Sequence, residues 1–539
     1  MILDQTEWIR RPGHSAHAAG RARCMHAVTH WTNHALLEEC VRGAGNETEA
    51  EVCGTYVQWG AGASAMQRLC RLTEQLRVSR ASSADIITGS ADGADDRRRR
   101  PMVPDDMGAL IAVEDPQLSP CGKWVAHIVA TPNYEENQHD KQIMLTAVTS
   151  GETKLFTFDR PSVGSPRWSP SGDALAFLDK SADGTVQVFL LHTDGGDARQ
   201  VTALPSGVLA FEWSPTGVEL ALAVADQPPE KEGEDRHDRT FNVGDDHFLS
   251  DAEELPHHLW LAPVGGGDAT RLTSGKKGLA KGMGFAWAAD GSAIVYPAQE
   301  NPSLSCVNRR SLEVVPLPSS EWSKEWTLAA GPGTYGTPAV SPDGQFVAYT
   351  QTVLDEGGHY VPAAAYIRPL RPDGNEVCVS GSIDRSVGAP IWTLDGSALL
   401  LTGDDVNVVS LWQQPIGALE KAEKIALGEV SPSSVVPTAD GRVVFLGKTA
   451  DRPAELYINE LDENKEPTQL TNYNEFSATK LELGEVETIS WASTDGLTAN
   501  GIVTYPPGFD RSRKYPMVLV IHGGPMSASL EGFTVRNRT

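Results

Sequence analysis

The sequence predicts a mainly β protein: a seven-bladed β-propeller over residues 106–478, followed at 479–539 by the first strands of an α/β domain that is cut short. Three observations predict it. A turn-plus-strand unit recurs seven times, the recurrence stops after Thr471, and a short apolar run followed by two glycines stands near the C-terminus. Residues 1–105 lie outside this plan and read as a poorly ordered extension of unknown role.

The repeated units are LSPCGKWVAHI (118–128), WSPSGDALAFL (168–178), WSPTGVELALA (213–223), WAADGSAIVYP (287–297), VSPDGQFVAYT (340–350), WTLDGSALLLT (392–402) and PTADGRVVFLG (437–447). Each copy carries a glycine at one place: Gly122, Gly172, Gly217, Gly291, Gly344, Gly396 and Gly441. Pro-Asp-Gly and Pro-Ser-Gly are turn chemistry, because proline presets the first turn dihedral and glycine accepts a positive φ. The apolar run after each turn has the form of a buried strand. Segments such as 186–202, 258–273 and 455–471 supply a further strand and a closing turn, and four strands in about 45 residues mark a propeller blade. Trp168, Trp213, Trp287 and Trp392 occupy equivalent places and are expected to pack. Residues 226–256 are polar and contain proline, which reads as a loop inserted after the third unit.

Composition narrows the function. The chain has 539 residues, 45 basic and 71 acidic side chains and a formal charge of −26. That balance repels nucleic acid and anionic lipid, so neither is expected as a partner. No apolar run approaches the ~20 residues of a membrane-spanning helix, and none is expected to enter a membrane. Seven cysteines are too few for a disulfide scaffold, and a reducing, cytoplasmic location is the expectation. A homo-oligomer is compatible with these figures.

Residues 1–100 differ from the rest, with 13 Arg, no Lys and 12 acidic residues. His26, His30 and His34 recur every four residues beside Cys24 and Cys40. Imidazole and thiolate are zinc ligands, but this spacing matches no closed zinc motif, so no metal or other cofactor is expected.

In the C-terminal segment, residues 487–491 and 498–504 read as a hairpin around the Asp495-Gly496 turn. The apolar run 517–521 reads as a strand covered on both faces, followed directly by His522, Gly523, Gly524 and Pro525. Glycines after a buried strand allow the tight backbone curvature with which a loop supplies a donor to an oxyanion.

On these residues the chain resembles the prolyl oligopeptidase family of serine peptidases, near its acylaminoacyl-peptidase branch. The match runs over residues 113–525 and is carried by VEDPQLSPCGKWVA, STDGLTANGIVTYPPGFD and KYPMVLVIHGGP. His-Gly-Gly-Pro typifies that branch, whereas prolyl oligopeptidases proper usually have Tyr-Gly-Gly and dipeptidyl peptidase IV relatives Tyr-Ala-Gly-Pro. The resemblance implies a propeller joined to an α/β-hydrolase domain, and short peptides as substrates. It also implies that the loop His522, Gly523, Gly524, Pro525 is the oxyanion-hole loop, with Gly523 or Gly524 donating a backbone N–H.

The family's chemistry requires a serine on a Gly-x-Ser-x-Gly elbow, an acid and a histidine, all after that loop. No Gly-x-Ser-x-Gly occurs in the sequence, and Ser527 and Ser529 lack the elbow. No catalytic residue is therefore assigned, and the chain alone is expected to be inactive. Deleting residues 480–539 is expected to improve solubility, since 517–521 would otherwise leave an apolar edge bare. The rival expectation is a non-catalytic propeller that binds a protein partner through its loops.

Overall fold

The structure, a computed structural model, describes residues 99–534 except 229–232, 234–235, 237–239, 241–253, 304–305, 319, 321, 332, 355–360, 462–464 and 524–526. The histidines and cysteines of the extension, most of the 226–256 insertion, and Gly524 and Pro525 lie outside the described residues. The residues fall into two compact units. In its described part the larger comprises residues within 99–492, 496–509 and 528–534, and the smaller 493–495, 510–523 and 527.

The larger unit is mainly β, and its sheets are consistent with a β-propeller. Its strands form consecutive antiparallel meanders over residues 112–155, 164–200, 210–271, 286–329, 334–378, 391–424 and 431–469. The third and fourth share one nine-stranded sheet through the short strand Gly278–Leu279, which pairs with both.

The repeated turn explains why each meander begins where it does. Every repeat glycine has a positive φ, from 70° at Gly122 to 81° at Gly441, a region that costs other residues about 1–2 kcal/mol. In six of the seven a serine or threonine three residues earlier locks the turn, Ala288 before Gly291 being the exception. Ser119 Oγ accepts the Trp124 N–H at 3.0 Å, Ser169 that of Ala174 at 3.1 Å, and Thr393 that of Ala398 at 3.1 Å. A Cβ on Gly172 would stand 3.4 Å from Pro120, one on Gly217 3.4 Å from Pro170 and one on Gly396 3.6 Å from Pro342, so each turn proline seats against the next turn's glycine.

The tryptophans tie the meanders together. Trp168 Nε1 donates to the Gln117 carbonyl at 3.0 Å, Trp213 to Arg167 at 3.1 Å, Trp287 to Glu212 at 3.3 Å and Trp392 to Ala339 at 3.0 Å. For the first three the acceptor lies on the first strand of the preceding meander, and Ala339 lies on the short strand Ala339–Val340 of the fifth. The expected packing role holds, and a hydrogen bond is added to it. Strands Ala174–Lys180 and Glu219–Ala225 are almost continuously buried, since a neighbour covers each face of the sheet.

The ends of the larger unit close on each other. Val113 and Val125 of the first meander share a core with Val444, Leu446 and Ile458 of the last. The Asn474 side chain pairs with both the N–H and the C=O of Ile111, at 2.9 Å each. The ring of His127 meets Tyr473 Oη at 3.0 Å, and Arg100–Pro101 pairs in parallel with Leu481–Glu482.

After the last meander the expected hairpin forms, Val486–Ala492 against Thr498–Thr504, with Gly496 at φ 87° in its turn. The chain then returns to the larger unit. Glu531 N–H donates to the Asn407 carbonyl at 2.5 Å, and Phe533 is buried with Met102 and Leu481. Deletion of 480–539 would strip that cluster and the Arg100–Pro101 pairing.

The strand expected at 517–521 does not form among the described residues. Met517, Val518, Leu519, Val520 and Ile521 are 52%, 86%, 41%, 73% and 55% exposed and make no ladder. A parallel strand takes its hydrogen bonds from neighbours far away in sequence, and none of the described residues pairs with this one. No helix among the described residues is long and apolar enough to cross a membrane, which says nothing of β-barrels.

Candidate functional site

The expected oxyanion-hole loop is described at His522 and Gly523 only. His522 is exposed, and its Nδ1 lies 3.1 Å from the Gly523 carbonyl oxygen. A Cβ on Gly523 would meet nothing within 4 Å, so the backbone here is open on that side. Ser527 and Ser529 are exposed as well. An oxyanion hole works by holding preorganised N–H donors in a site that excludes water. Residues 517–523 are exposed, and among the described residues no such enclosed site is assembled around them.

Elsewhere a chain of groups has the order of a catalytic triad. Asp226 Oδ2 lies 3.5 Å from His258 Nε2, and His258 Nδ1 lies 3.1 Å from Thr273 Oγ1. His258 is fully buried, and burial lowers its pKa. The Thr273 hydroxyl already accepts the Leu259 N–H at 3.0 Å. Equivalent hydroxyls recur: Thr157 accepts from Ile143 and Thr202 from Val188 at 3.0 Å, Ser380 from Ala365 and Thr471 from Leu456 at 2.9 Å. Repetition in five meanders identifies Thr273 as a fastener of the third strand to the fourth, not a nucleophile. The signal was visible in the sequence, where 186–202, 258–273 and 455–471 all end in threonine.

An ionic cluster spans the first strands of the first three meanders. Arg167 Nη1 lies 3.0 Å from Asp115 Oδ2, and its Nε lies 3.2 Å from Glu212 Oε1. Asp115 and Ser165 hold positive φ values of 47° and 48° beside register shifts in these strands. Ser434 repeats this in the last meander, at 48°. Sequence reading missed these bulges, because one extra residue in a strand leaves no compositional mark.

A cleft of about 760 Å³ separates the outer parts of the first two meanders and is lined by Lys154, Phe158, Arg160, Asp179, His192 and Asp197 among others. Its Asp179 carboxylate is engaged by Arg160 at 2.5 Å and by the Ser162 hydroxyl at 2.6 Å. No group of three potential metal ligands occurs among the described residues.

Comparison with known proteins gives this arrangement relatives. No family model matches the chain. It is 26% identical over 483 residues to the uncharacterized peptidase YuxL of Bacillus subtilis, covering 78% of this chain and 66% of that protein. It is 24% identical over 461 residues to dipeptidyl-peptidase 5 of Porphyromonas endodontalis, covering 81% and 64%. The chain thus spans a little under two thirds of the length of these relatives. Among solved structures, an acylaminoacyl peptidase in complex with Z-Gly-Gly-Phe-chloromethyl ketone superposes with a TM-score of 0.62 at 21% identity, covering 80% of this chain and 63% of that one. The Pyrococcus horikoshii acylaminoacyl peptidase gives 0.61 at 20%, covering 80% and 64%. At such identities the structural likeness speaks for the fold.

Proposed function

We propose, from the premise that the chain is a relative of the prolyl oligopeptidase family of serine peptidases on its acylaminoacyl-peptidase side, that it is the propeller and opening hydrolase segment of a peptidase for small N-acylated peptides. In this reading the seven meanders are seven blades, and the hairpin 486–504 opens an α/β-hydrolase domain. The observation that carries it is the continuity of the likeness. Peptidase relatives align over about four fifths of the chain.

The reading assigns roles as follows. The propeller covers the reacting centre and admits only short, flexible peptides. Gly523 or Gly524 offers an N–H to the oxyanion of the tetrahedral intermediate. A serine attacks once a histidine takes its proton, and an acid orients that histidine. The 539 residues contain no Gly-x-Ser-x-Gly to supply the serine. They therefore bind and position, and the acyl transfer belongs to the part that the longer relatives have in addition. No metal is required for this chemistry.

The test uses an N-acyl-aminoacyl chromogenic substrate. The purified chain should release no chromophore above a buffer blank. Joined to the C-terminal third of the Bacillus subtilis relative, it should turn the substrate over. Turnover by the chain alone overturns the inert assignment. A folded chimera without turnover on any acyl-peptide overturns the peptidase assignment.

A further inference from the structure

One tight turn in the larger unit holds a residue ill suited to it. Strands Ala398–Asp405 and Val408–Pro415 pair up to Asp405 opposite Val408, which leaves a two-residue loop, Val406–Asn407. Of the two, only Val406 has a positive φ, at 62°, and such a turn ordinarily gives that place to glycine. Val406 is the one β-branched residue at positive φ among the described residues. A branched side chain makes this conformation costly. Its side chain is 51% exposed, so burial of Val406 does not offset the strain.

The contacts of the next residue account for the turn. Asn407 sits at a hairpin tip and is nevertheless buried. Its Nδ2 donates to Thr488 Oγ1 at 3.0 Å and lies 3.5 Å from the Gly501 carbonyl oxygen, so it meets both strands of the hairpin 486–504. Its backbone carbonyl accepts the Glu531 N–H at 2.5 Å. The Thr488 hydroxyl closes the circuit by donating to the Glu531 carboxylate. A ring of hydrogen bonds thus joins the sixth meander, the hairpin and the returning chain. Behind the tip, Asp405 is held by Arg385 at 3.0 Å and Lys424 at 2.7 Å. A strained backbone persists only where its surroundings over-determine it. Here the surroundings are the bonds of Asn407, since turning Val406 to an ordinary φ would swing the following peptide away from Thr488 and Glu531.

We propose that the Val406–Asn407 tip is a latch. It clamps both ends of the stretch 505–530 to the sixth meander, and the strain at Val406 sets how readily the clamp opens. Holding two chain ends together removes conformational freedom from whatever lies between them. The stretch so bracketed carries His522 and Gly523. The latch stands apart from the peptidase reading, because it rests on the contacts of Asn407 and not on any chemistry at His522.

Hydrogen–deuterium exchange of the full chain, followed peptide by peptide, tests this. Asn407→Ala should speed exchange in 486–504 and 531–534 by roughly 3–10-fold, as expected for the loss of one or two hydrogen bonds. The buried strand Glu219–Ala225 should exchange as before. Thr488→Val should give the same acceleration, and the double variant should be no faster than either single one, since both cut one ring. Val406→Gly keeps the contacts and relieves the backbone, so it should slow exchange in the same peptides. Unchanged exchange in 486–504 for Asn407→Ala overturns the proposal, as does additivity in the double variant. A Val406→Gly chain that exchanges no more slowly than the unsubstituted one overturns the role of the strain. If Asn407→Ala unfolds as a whole, Thr488→Val, made at an exposed residue, decides the case.

Discussion

The repeated meanders and the segment 510–523 are both rich in apolar residues, yet they fare in opposite ways. Leu220, Leu222, Val347 and Phe445 of the meanders are fully buried, whereas Val518 and Val520 are among the most exposed apolar side chains described. The difference lies in where the partners come from. Each strand in a meander finds its neighbour within a turn or a hairpin, and the next repeat covers its face. The 517–521 run has the composition of a strand with two neighbours but has none among the described residues. Apolar content sets the drive to be covered; sequence distance to the partner decides whether the described chain can satisfy it.

The contrast can be broken first at the tryptophans. Trp392→Ala should cost about 3–5 kcal/mol, since it empties a buried site and removes the bond to Ala339. Leu519→Ala should change stability by no more than about 0.5 kcal/mol. Denaturant unfolding of both variants checks this, and equal losses would erase the distinction.

The joint between first and last meanders should answer to pH. Burial pushes the pKa of His127 down to about 4, whereas the unfolded chain takes up this proton near pH 6.5. Between these values the unfolded state binds more protons, so stability falls as pH falls through that window and is fully present above it. The loss should approach about 3 kcal/mol at pH 4. It should be absent from the difference between pH 7 and pH 4 in a folded His127→Gln variant, as measured by urea midpoints.

Glycines sharpen the contrast on a smaller scale. Gly172→Ala forces alanine to φ 75° against Pro120 and should cost roughly 1–2 kcal/mol. Gly523→Ala has open space around it and should cost under about 0.5 kcal/mol. A Tm shift for the second variant as large as for the first would show that residue 523 is packed. Smallest in stability is the double change Val518→Lys and Val520→Lys. Tm should hold within error while light scattering shows less self-association. Unchanged scattering would mean that the segment is not the sticky surface.

Local chemistry made much of this molecule legible in its amino acids. The seven glycines mark turns because few other residues accept their φ, the strands follow the turns, and the hairpin 486–504 announces itself through Asp495-Gly496. The loop at His522 and Gly523 was legible as a motif, but its chemistry depends on a site that the described residues do not assemble. The Thr157, Thr202, Thr273, Ser380 and Thr471 hydroxyls were present in the repeats yet unread, since a threonine in a closing turn looks like any polar turn residue.

What remained for the tertiary structure was everything that joins residues distant in the chain. His127 and Tyr473 are 346 positions apart, Ile111 and Asn474 363. Nothing in either local stretch selects the other; only closing the larger unit on itself brings them within hydrogen-bond reach. The same holds for the Asp115–Arg167–Glu212 cluster and for the ring through Asn407, Thr488 and Glu531. Turn geometry and the drive to bury apolar strands are properties of short segments and can be read from order alone. Pairing of charges and satisfaction of buried donors depend on distances in space, which exist only once the chain has folded.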